Sequence, residues 1–112
     1  MNLGISKDLI GHVLVVHVSG DLDVYTAPQL KEALADTLAA DGAALVLDLS
    51  KVHFIDSTAL GVLASSLQQS KSHEGDLRLV IDDPYLLKIF HITGFDDVFA
   101  VYPKVADALS AR

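Results

Sequence analysis

The sequence predicts a single α/β domain in which helices cover a mixed, mostly parallel β-sheet. Runs of valine and leucine of strand length alternate with segments of helical periodicity along the 112 residues. No internal repeat and no linker-like segment interrupts this alternation. Strands that alternate with helices at this spacing lie parallel and are joined by right-handed crossovers. We therefore expect one domain over residues 1–112, with four or five strands and about four helices.

The first two elements are expected to form a β-hairpin. The valine-rich run 12–19 lies between Gly11 and Gly20 and predicts a strand. Residues 3–10 predict its antiparallel partner across a turn at Gly11. This hairpin would make an otherwise parallel sheet mixed.

A first helix is expected to begin near Thr26. Gln29 follows three residues later, which matches the capping-box pattern, and Pro28 is tolerated in a first turn. Gly42 marks the end of the helix. One face of the helix is apolar and consists of Ala27, Leu30, Ala33, Leu34 and Leu38.

The next strand and the second helix meet at a short polar segment. Residues 44–49 form an apolar run of strand length, which residues 52–55 either continue or follow as a short connection. The second helix is expected to begin near Asp56 and Ser57 and to end at Gly75. Its apolar positions have helical spacing and are Leu60, Leu63, Ala64 and Leu67.

The last third of the chain predicts two more strands and two short helices. Residues 77–81 form an aliphatic run typical of a buried strand, and residues 84–93 predict a helix. Residues 98–102 predict a final edge strand. Residues 105–109 predict a terminal helix after a proline.

Composition and charge argue against nucleic acids and membranes as partners. Eight basic and fifteen acidic residues leave a net charge of −7, which phosphate backbones and anionic lipid surfaces repel. No apolar run approaches about 18 residues, and the N-terminal segment has no signal-peptide pattern. The chain has no cysteine, which excludes disulfides and is compatible with a reducing cytosol. We therefore expect a cytoplasmic protein.

Patterns for catalysis or metal binding are weak. The histidines, His12 and His17 among them, do not have metal-ligand spacing. We expect their side chains to be solvated or to lie at an edge of the sheet. His53, Asp56 and Ser57 are residue types that a hydrolase uses, but the nucleophile elbow of such enzymes is missing. No glycine-rich phosphate-binding motif occurs either. We expect no metal, no cofactor and no enzymatic activity.

Two polar segments each follow a predicted strand. Asp21 and Asp23 precede the first helix, and Asp56, Ser57 and Thr58 begin the second. Taken alone, the first segment reads as a solvated turn and the second as a well-capped helix. Loops on one edge of a sheet are, however, where binding groups concentrate. The alternative hypothesis is a functional one, in which Ser57 lies at an exposed helix N-terminus. Such a position tolerates a phosphate and lies within reach of a partner.

Together, these segments resemble the STAS family, and most closely its single-domain anti-sigma-factor antagonists. The resemblance rests on Gly-Asp-Leu-Asp at 20–23, Thr-Ala at 26–27 and Phe-Ile-Asp-Ser-Thr at 54–58, and it extends over residues 3–109. One departure is Ala59, where many relatives have glycine. A position in the first turn of a helix accepts alanine without a change of backbone geometry.

The resemblance implies a switch protein rather than an enzyme. Family members of this type bind an anti-sigma factor with a serine-kinase fold and displace the sigma factor that it holds. The same kinase phosphorylates the serine after the motif aspartate, here Ser57, and a metal-dependent serine phosphatase reverses the reaction. Asp23 and Asp56 match positions tied to partner docking and to presentation of the serine. With Asp21, Ser57 and Thr58 they form the expected partner-binding set.

Two alternatives from other classes remain open at this point. A STAS adaptor subunit of a lipid or anion transport complex would need no phosphorylation and would co-purify with an ATPase or permease. A small nucleotide-binding or hydrolytic domain would bind ATP or GTP.

Overall fold

One sheet of five strands lies at the centre of the computed structural model, which describes residues 3–111. In both chain order and spatial order the strands are β1 (Gly4–Ile10), β2 (Val13–Ser19), β3 (Ala44–Lys51), β4 (Asp76–Val80) and β5 (Ala100–Tyr102). β1 is antiparallel to β2, and the other neighbouring pairs are parallel. The predicted fold class, a mixed and mostly parallel sheet with helices, is confirmed.

The described residues form four α-helices, which follow β2, β3, β4 and β5 in turn. They are α1 (Ala27–Ala39), α2 (Ser57–Ser72), α3 (Pro84–Ile92) and α4 (Val105–Ser110). The longest of them, α2, has 16 residues. Over residues 3–111, no helix combines the length and the apolar character needed to cross a bilayer.

The main hydrophobic core lies between the sheet and the helices α1, α2 and α3. Leu34 of α1, Leu63 of α2 and Phe90 of α3 are fully buried there against the leucines of β3 and β4. A smaller cluster on the opposite face packs under α4 and consists of Val15, Val46, Val80 and Ala108. Helices therefore cover both faces, and the loops at the carboxyl ends of β2, β3 and β4 are left to form a shared edge.

Each of the five strands differs from the sequence prediction by one or two residues at an end, and two of these differences lie at turns. His12 lies in the turn between β1 and β2, so that β2 begins one residue later than expected. The final strand begins at Ala100 instead of Val98, because Phe95–Asp97 forms a short 3-10 helix first. At both places the chain is still in a turn where the sequence pattern predicted a strand.

The predicted capping box at the start of α1 is wrong, although the helix does begin after Thr26. The Thr26 side chain makes no capping hydrogen bond to α1. Gln29 uses its side-chain oxygen to accept a hydrogen bond from the Leu3 backbone N–H at 3.1 Å. Both side chains are therefore engaged with neighbouring segments of the fold instead of with each other.

Candidate functional site

The two segments singled out in the sequence lie side by side at the carboxyl edge of the sheet. Leu22 and Ile55 form an isolated parallel bridge beyond the ends of β2 and β3. The Leu22 N–H donates to the Phe54 carbonyl at 3.0 Å, and the Asp56 N–H donates to the Leu22 carbonyl at 3.0 Å. Leu22 and Ile55 are also buried. The bridge fixes the loop before α1 against the loop before α2.

Asp56 is the joint between these two loops. One carboxylate oxygen, Oδ1, accepts a hydrogen bond from the Ala59 N–H at 3.0 Å and caps α2. The other, Oδ2, accepts a hydrogen bond from the Val24 N–H at 3.0 Å. The start of α2 and the loop before α1 therefore share one carboxylate, and a shift of one loop must move the other.

Asp23 orders its own loop through hydrogen bonds and is not a fully solvated side chain. It is half-buried, and its Oδ1 accepts hydrogen bonds from the backbone N–H groups of Tyr25 at 2.9 Å and Thr26 at 3.0 Å. The Thr26 hydroxyl, on a residue only 2% exposed, accepts from the Asp23 N–H at 2.9 Å and donates to the Asp21 carbonyl at 2.7 Å. The expected solvated turn is therefore an ordered loop, in which Asp21 is exposed and Asp23 is half-buried.

Ser57 and Thr58 are the first two residues of α2, and both are exposed. Ala59, the next residue, is fully buried. The first N–H groups of a helix have no partner within the helix and give this end a partial positive charge. The Ser57 hydroxyl therefore lies in solvent, beside the joint at Asp56, at a helix end that favours an added anion.

A third loop, which the sequence patterns did not single out, belongs to the same edge. The His53 Nδ1 lies 2.8 Å from Asp83 Oδ1, and Asp83 Oδ2 accepts a hydrogen bond from the Leu86 N–H at 3.1 Å, which caps α3. The hydrogen bond with His53, followed by that from Leu86, holds the pKa of Asp83 below its ordinary value. The Asp-Pro pair at Asp83 and Pro84 was a usable sign of a helix start.

The residues considered for a hydrolase do not form a catalytic relay. His53 bonds to Asp83, while both oxygens of Asp56 accept backbone N–H groups from Val24 and Ala59. No hydrogen-bonded chain therefore links His53 through Asp56 to Ser57 in the way that a triad requires.

More histidines are paired with carboxylates than their spacing in the sequence predicted. Four of them bond to aspartates through His17–Asp8, His17–Asp48, His53–Asp83, His73–Asp41 and His91–Asp96. These pairs are spread over the molecule. Within residues 3–111, no group of three or more His, Asp or Glu side chains is arranged to hold a metal ion.

Residues 5–108 match the family model of the STAS domain. The chain belongs to the STAS family. This STAS domain is 35% identical to the anti-sigma-B factor antagonist of Bacillus subtilis (strain 168), over 93% of this chain and 94% of that protein. It is also 35% identical to the anti-sigma-B factor antagonist of Listeria monocytogenes, over 77% of this chain and 75% of that protein.

A solved structure agrees with these sequence relationships. The STAS domain superposes on the crystal structure of an anti-sigma factor antagonist from Mycobacterium paratuberculosis with a TM-score of 0.87 and 35% sequence identity, covering 96% of this chain and 92% of that chain. The family resemblance inferred from the two polar segments is thereby confirmed.

Proposed function

We propose that this protein is an anti-sigma factor antagonist that binds an anti-sigma factor, frees the sigma factor held by it, and is switched off by phosphorylation of Ser57. The observation that carries the proposal is the exposed Ser57 hydroxyl beside the Asp56 joint, in a chain whose relatives include anti-sigma-B factor antagonists. We place this activity in the cytoplasm, where sigma factors act. The partner is an anti-sigma factor with a serine-kinase fold, and a serine phosphatase resets the switch.

The order of the loops supports direct docking. Asp56 and Asp23 each accept two backbone N–H groups, so that the loop surface around Ser57 is shaped before a partner arrives. A preformed surface loses little conformational entropy on binding. In this account Asp23 and Asp56 act as positioning residues, while Asp21, Ser57 and Thr58 present exposed groups to the partner.

Charge determines the direction of the switch. A phosphoserine adds about −1.5 to −2 charges, and the N-terminus of α2 accepts an anion without damage to the fold. The same charge stands beside Asp56, at an interface formed around a neutral hydroxyl. Repulsion and loss of hydration at an interface cost several kcal/mol, and each 1.4 kcal/mol is a tenfold loss of affinity. Phosphorylation therefore ends binding and leaves folding intact.

Ser57 and not Thr58 is the proposed acceptor. Both residues are exposed, but Thr58 lies one residue further into α2. Its branched side chain also has restricted rotamers in a helix. A kinase that needs the acceptor hydroxyl to enter its active site therefore reaches Ser57 more easily.

Mass mapping of the phosphorylated residue tests the proposal. The protein is incubated with its anti-sigma kinase, Mg²⁺ and ATP, next to the variants Ser57→Ala and Thr58→Ala. We expect one added phosphoryl group, on Ser57, in the wild type and in Thr58→Ala, and none in Ser57→Ala. Full labelling of Ser57→Ala would overturn the assignment of the site. Absence of labelling by every serine kinase of this type in the genome would favour the adaptor role instead.

A further inference from the structure

Large apolar side chains are exposed on all three loops of the carboxyl edge. Tyr25 is 80% exposed, Val24 52%, Tyr85 46% and Phe54 41%. Burial of such side chains contributes most of the binding energy at protein interfaces, with tyrosine prominent among the residues that do so. Four of them on the edge that carries Ser57 mark a surface for a protein partner.

We propose that Tyr25, Phe54 and Tyr85 form the apolar centre of the docking surface, and that the partner offers an apolar depression surrounded by lysine and arginine. This inference rests on the proposed function, since the partner is the anti-sigma factor. It extends the binding surface from the two predicted loops to a third, at the start of α3.

Hydrogen bonds between neighbouring loops support a single surface. The Val24 N–H donates to Asp56 at 3.0 Å, which ties the loop of Tyr25 to the loop of Phe54. The His53–Asp83 contact of 2.8 Å ties the loop of Phe54 to the start of α3, two residues before Tyr85. Tyr25, Phe54 and Tyr85 each therefore lie within two residues of a position that an inter-loop hydrogen bond holds in place.

The charge of the three loops identifies the kind of partner. Residues 20–26, 52–57 and 81–85 contain no lysine and no arginine. They contain five aspartates, of which Asp21 and Asp82 are exposed and Asp23, Asp56 and Asp83 are half-buried. An acidic rim around an apolar centre attracts a partner with the opposite rim charge and speeds the encounter of the two proteins.

The same charge argues against a second copy of this chain as the occupant. Two such edges placed face to face would bring the exposed Asp21 and Asp82 of one copy against the same acidic edge of the other, with no lysine or arginine in these loops to offset the charge. Like charges brought together at an interface oppose binding. A different protein whose interface is rimmed by lysine and arginine matches the charge of this surface, whereas a second copy of this chain does not.

Affinity measurements with matched variants test the inference. The probe is a purified anti-sigma factor with a serine-kinase fold, and its affinity is measured by calorimetry for the wild type and for Tyr25→Ala, Phe54→Ala and Tyr85→Ala. The controls are Leu9→Ala, at a position 72% exposed on β1, and Ile92→Ala, at a position 67% exposed at the end of α3. Melting curves first establish that each variant is folded.

We expect Kd to rise by about tenfold or more for Tyr25→Ala and Phe54→Ala, by a smaller factor for Tyr85→Ala, and by less than about twofold for both controls. Asp82→Asn should slow association and weaken its dependence on salt. If the controls weaken binding as much as the edge variants, or if all three edge variants bind like the wild type, the apolar centre is wrong while the proposed function stands. If the wild type binds no anti-sigma factor, the proposed function is wrong, and the proposed docking surface is wrong as well.

Discussion

The Asp56 carboxylate accepts a hydrogen bond from the backbone N–H of Val24, which lies 32 residues earlier in the chain, at 3.0 Å. The other oxygen of the same carboxylate caps α2 through the Ala59 N–H. One side chain therefore positions the helix that begins with Ser57 and the loop that carries Tyr25. Any change at Asp56 is expected to act on both.

Replacement of Asp56 should measure the strength of this joint. Asp56→Ala removes a helix cap and an inter-loop hydrogen bond, and we expect a loss of about 1–2 kcal/mol in the free energy of unfolding. Asp56→Asn should lose less of the free energy of unfolding, because its amide oxygen can still cap α2. Its NH₂ group cannot accept the hydrogen bond from the Val24 N–H, so that part of the loss remains. Urea unfolding of the variants measures both values.

Asp21→Ala is the matched control for this experiment. The Asp21 side chain is exposed, so its replacement should change the free energy of unfolding by no more than about 0.5 kcal/mol. Equal stability of Asp56→Ala and Asp21→Ala would show that the joint contributes nothing to the fold.

His17 should make the stability of the protein depend on pH. Its Nδ1 lies 2.7 Å from Asp48 and its Nε2 lies 3.0 Å from Asp8, so that only the protonated ring donates to both. The hydrogen bond with Asp48, aided by Asp8 and opposed by burial, raises the pKa of His17 above its ordinary value of 6.5. A raised histidine pKa stabilises the folded state below about pH 6.5, and this contribution is lost as pH rises through the folded-state pKa.

Asp48 does not titrate in the same range. Burial acts to raise the pKa of Asp48, but hydrogen bonds from Ser50 and His17 outweigh it and hold that pKa below its ordinary value of 3.8. The stability due to the Asp48 charge is therefore lost only in stronger acid, as pH falls through its folded-state pKa.

Unfolding of His17→Gln at two pH values tests this assignment. We expect the variant to be less stable than the wild type at about pH 6, and we expect this difference to shrink as pH rises through the raised pKa of His17. His12→Gln, in the exposed turn before β2, should show no such change. A difference for His17→Gln that is constant or grows with pH would contradict the assignment.

Two glycines should respond to alanine in opposite directions. A Cβ at Gly61, inside α2, meets no atom within 4 Å, whereas a Cβ at Gly75 would lie 2.7 Å from the Ala43 carbonyl oxygen and 2.9 Å from the Ser70 hydroxyl. Gly61→Ala should therefore stabilise the fold by about 0.5–1 kcal/mol, because alanine is the better helix former. Gly75→Ala should lower the melting temperature. The same sign for both variants would contradict the packing around Gly75.

The sequence predicted most of the fold because local patterns determine most of it. The valines of β2 and the leucine spacing of α1 identify their elements without knowledge of distant residues. Asp56 could also be predicted as the cap of α2, because its capping partner Ala59 lies only three residues further along the chain.

The failures involve side-chain hydrogen bonds that depend on the path of a loop or on a residue far away in the chain. The capping box at Thr26 failed because the Thr26 hydroxyl finds its partners in the preceding loop. The His53–Asp83 contact joins residues 30 positions apart, and no local pattern predicts such a pair. Asp23 was predicted to lie in a solvated turn, since its hydrogen bonds with Tyr25 and Thr26 form only when the loop turns back on itself.

Release of sigma factor by two Ser57 variants tests the central claim most directly. Ser57→Ala and Ser57→Glu are titrated against the purified complex of sigma factor and anti-sigma factor in the presence of ATP, and free sigma factor is measured. We predict that Ser57→Ala, which cannot be phosphorylated, releases sigma factor persistently, and that Ser57→Glu is folded but releases much less than the wild type. Glutamate carries one charge where phosphate carries nearly two, so residual release is compatible with the account. If Ser57→Glu releases sigma factor as well as the wild type and Ser57→Ala does not, the proposed switch is wrong.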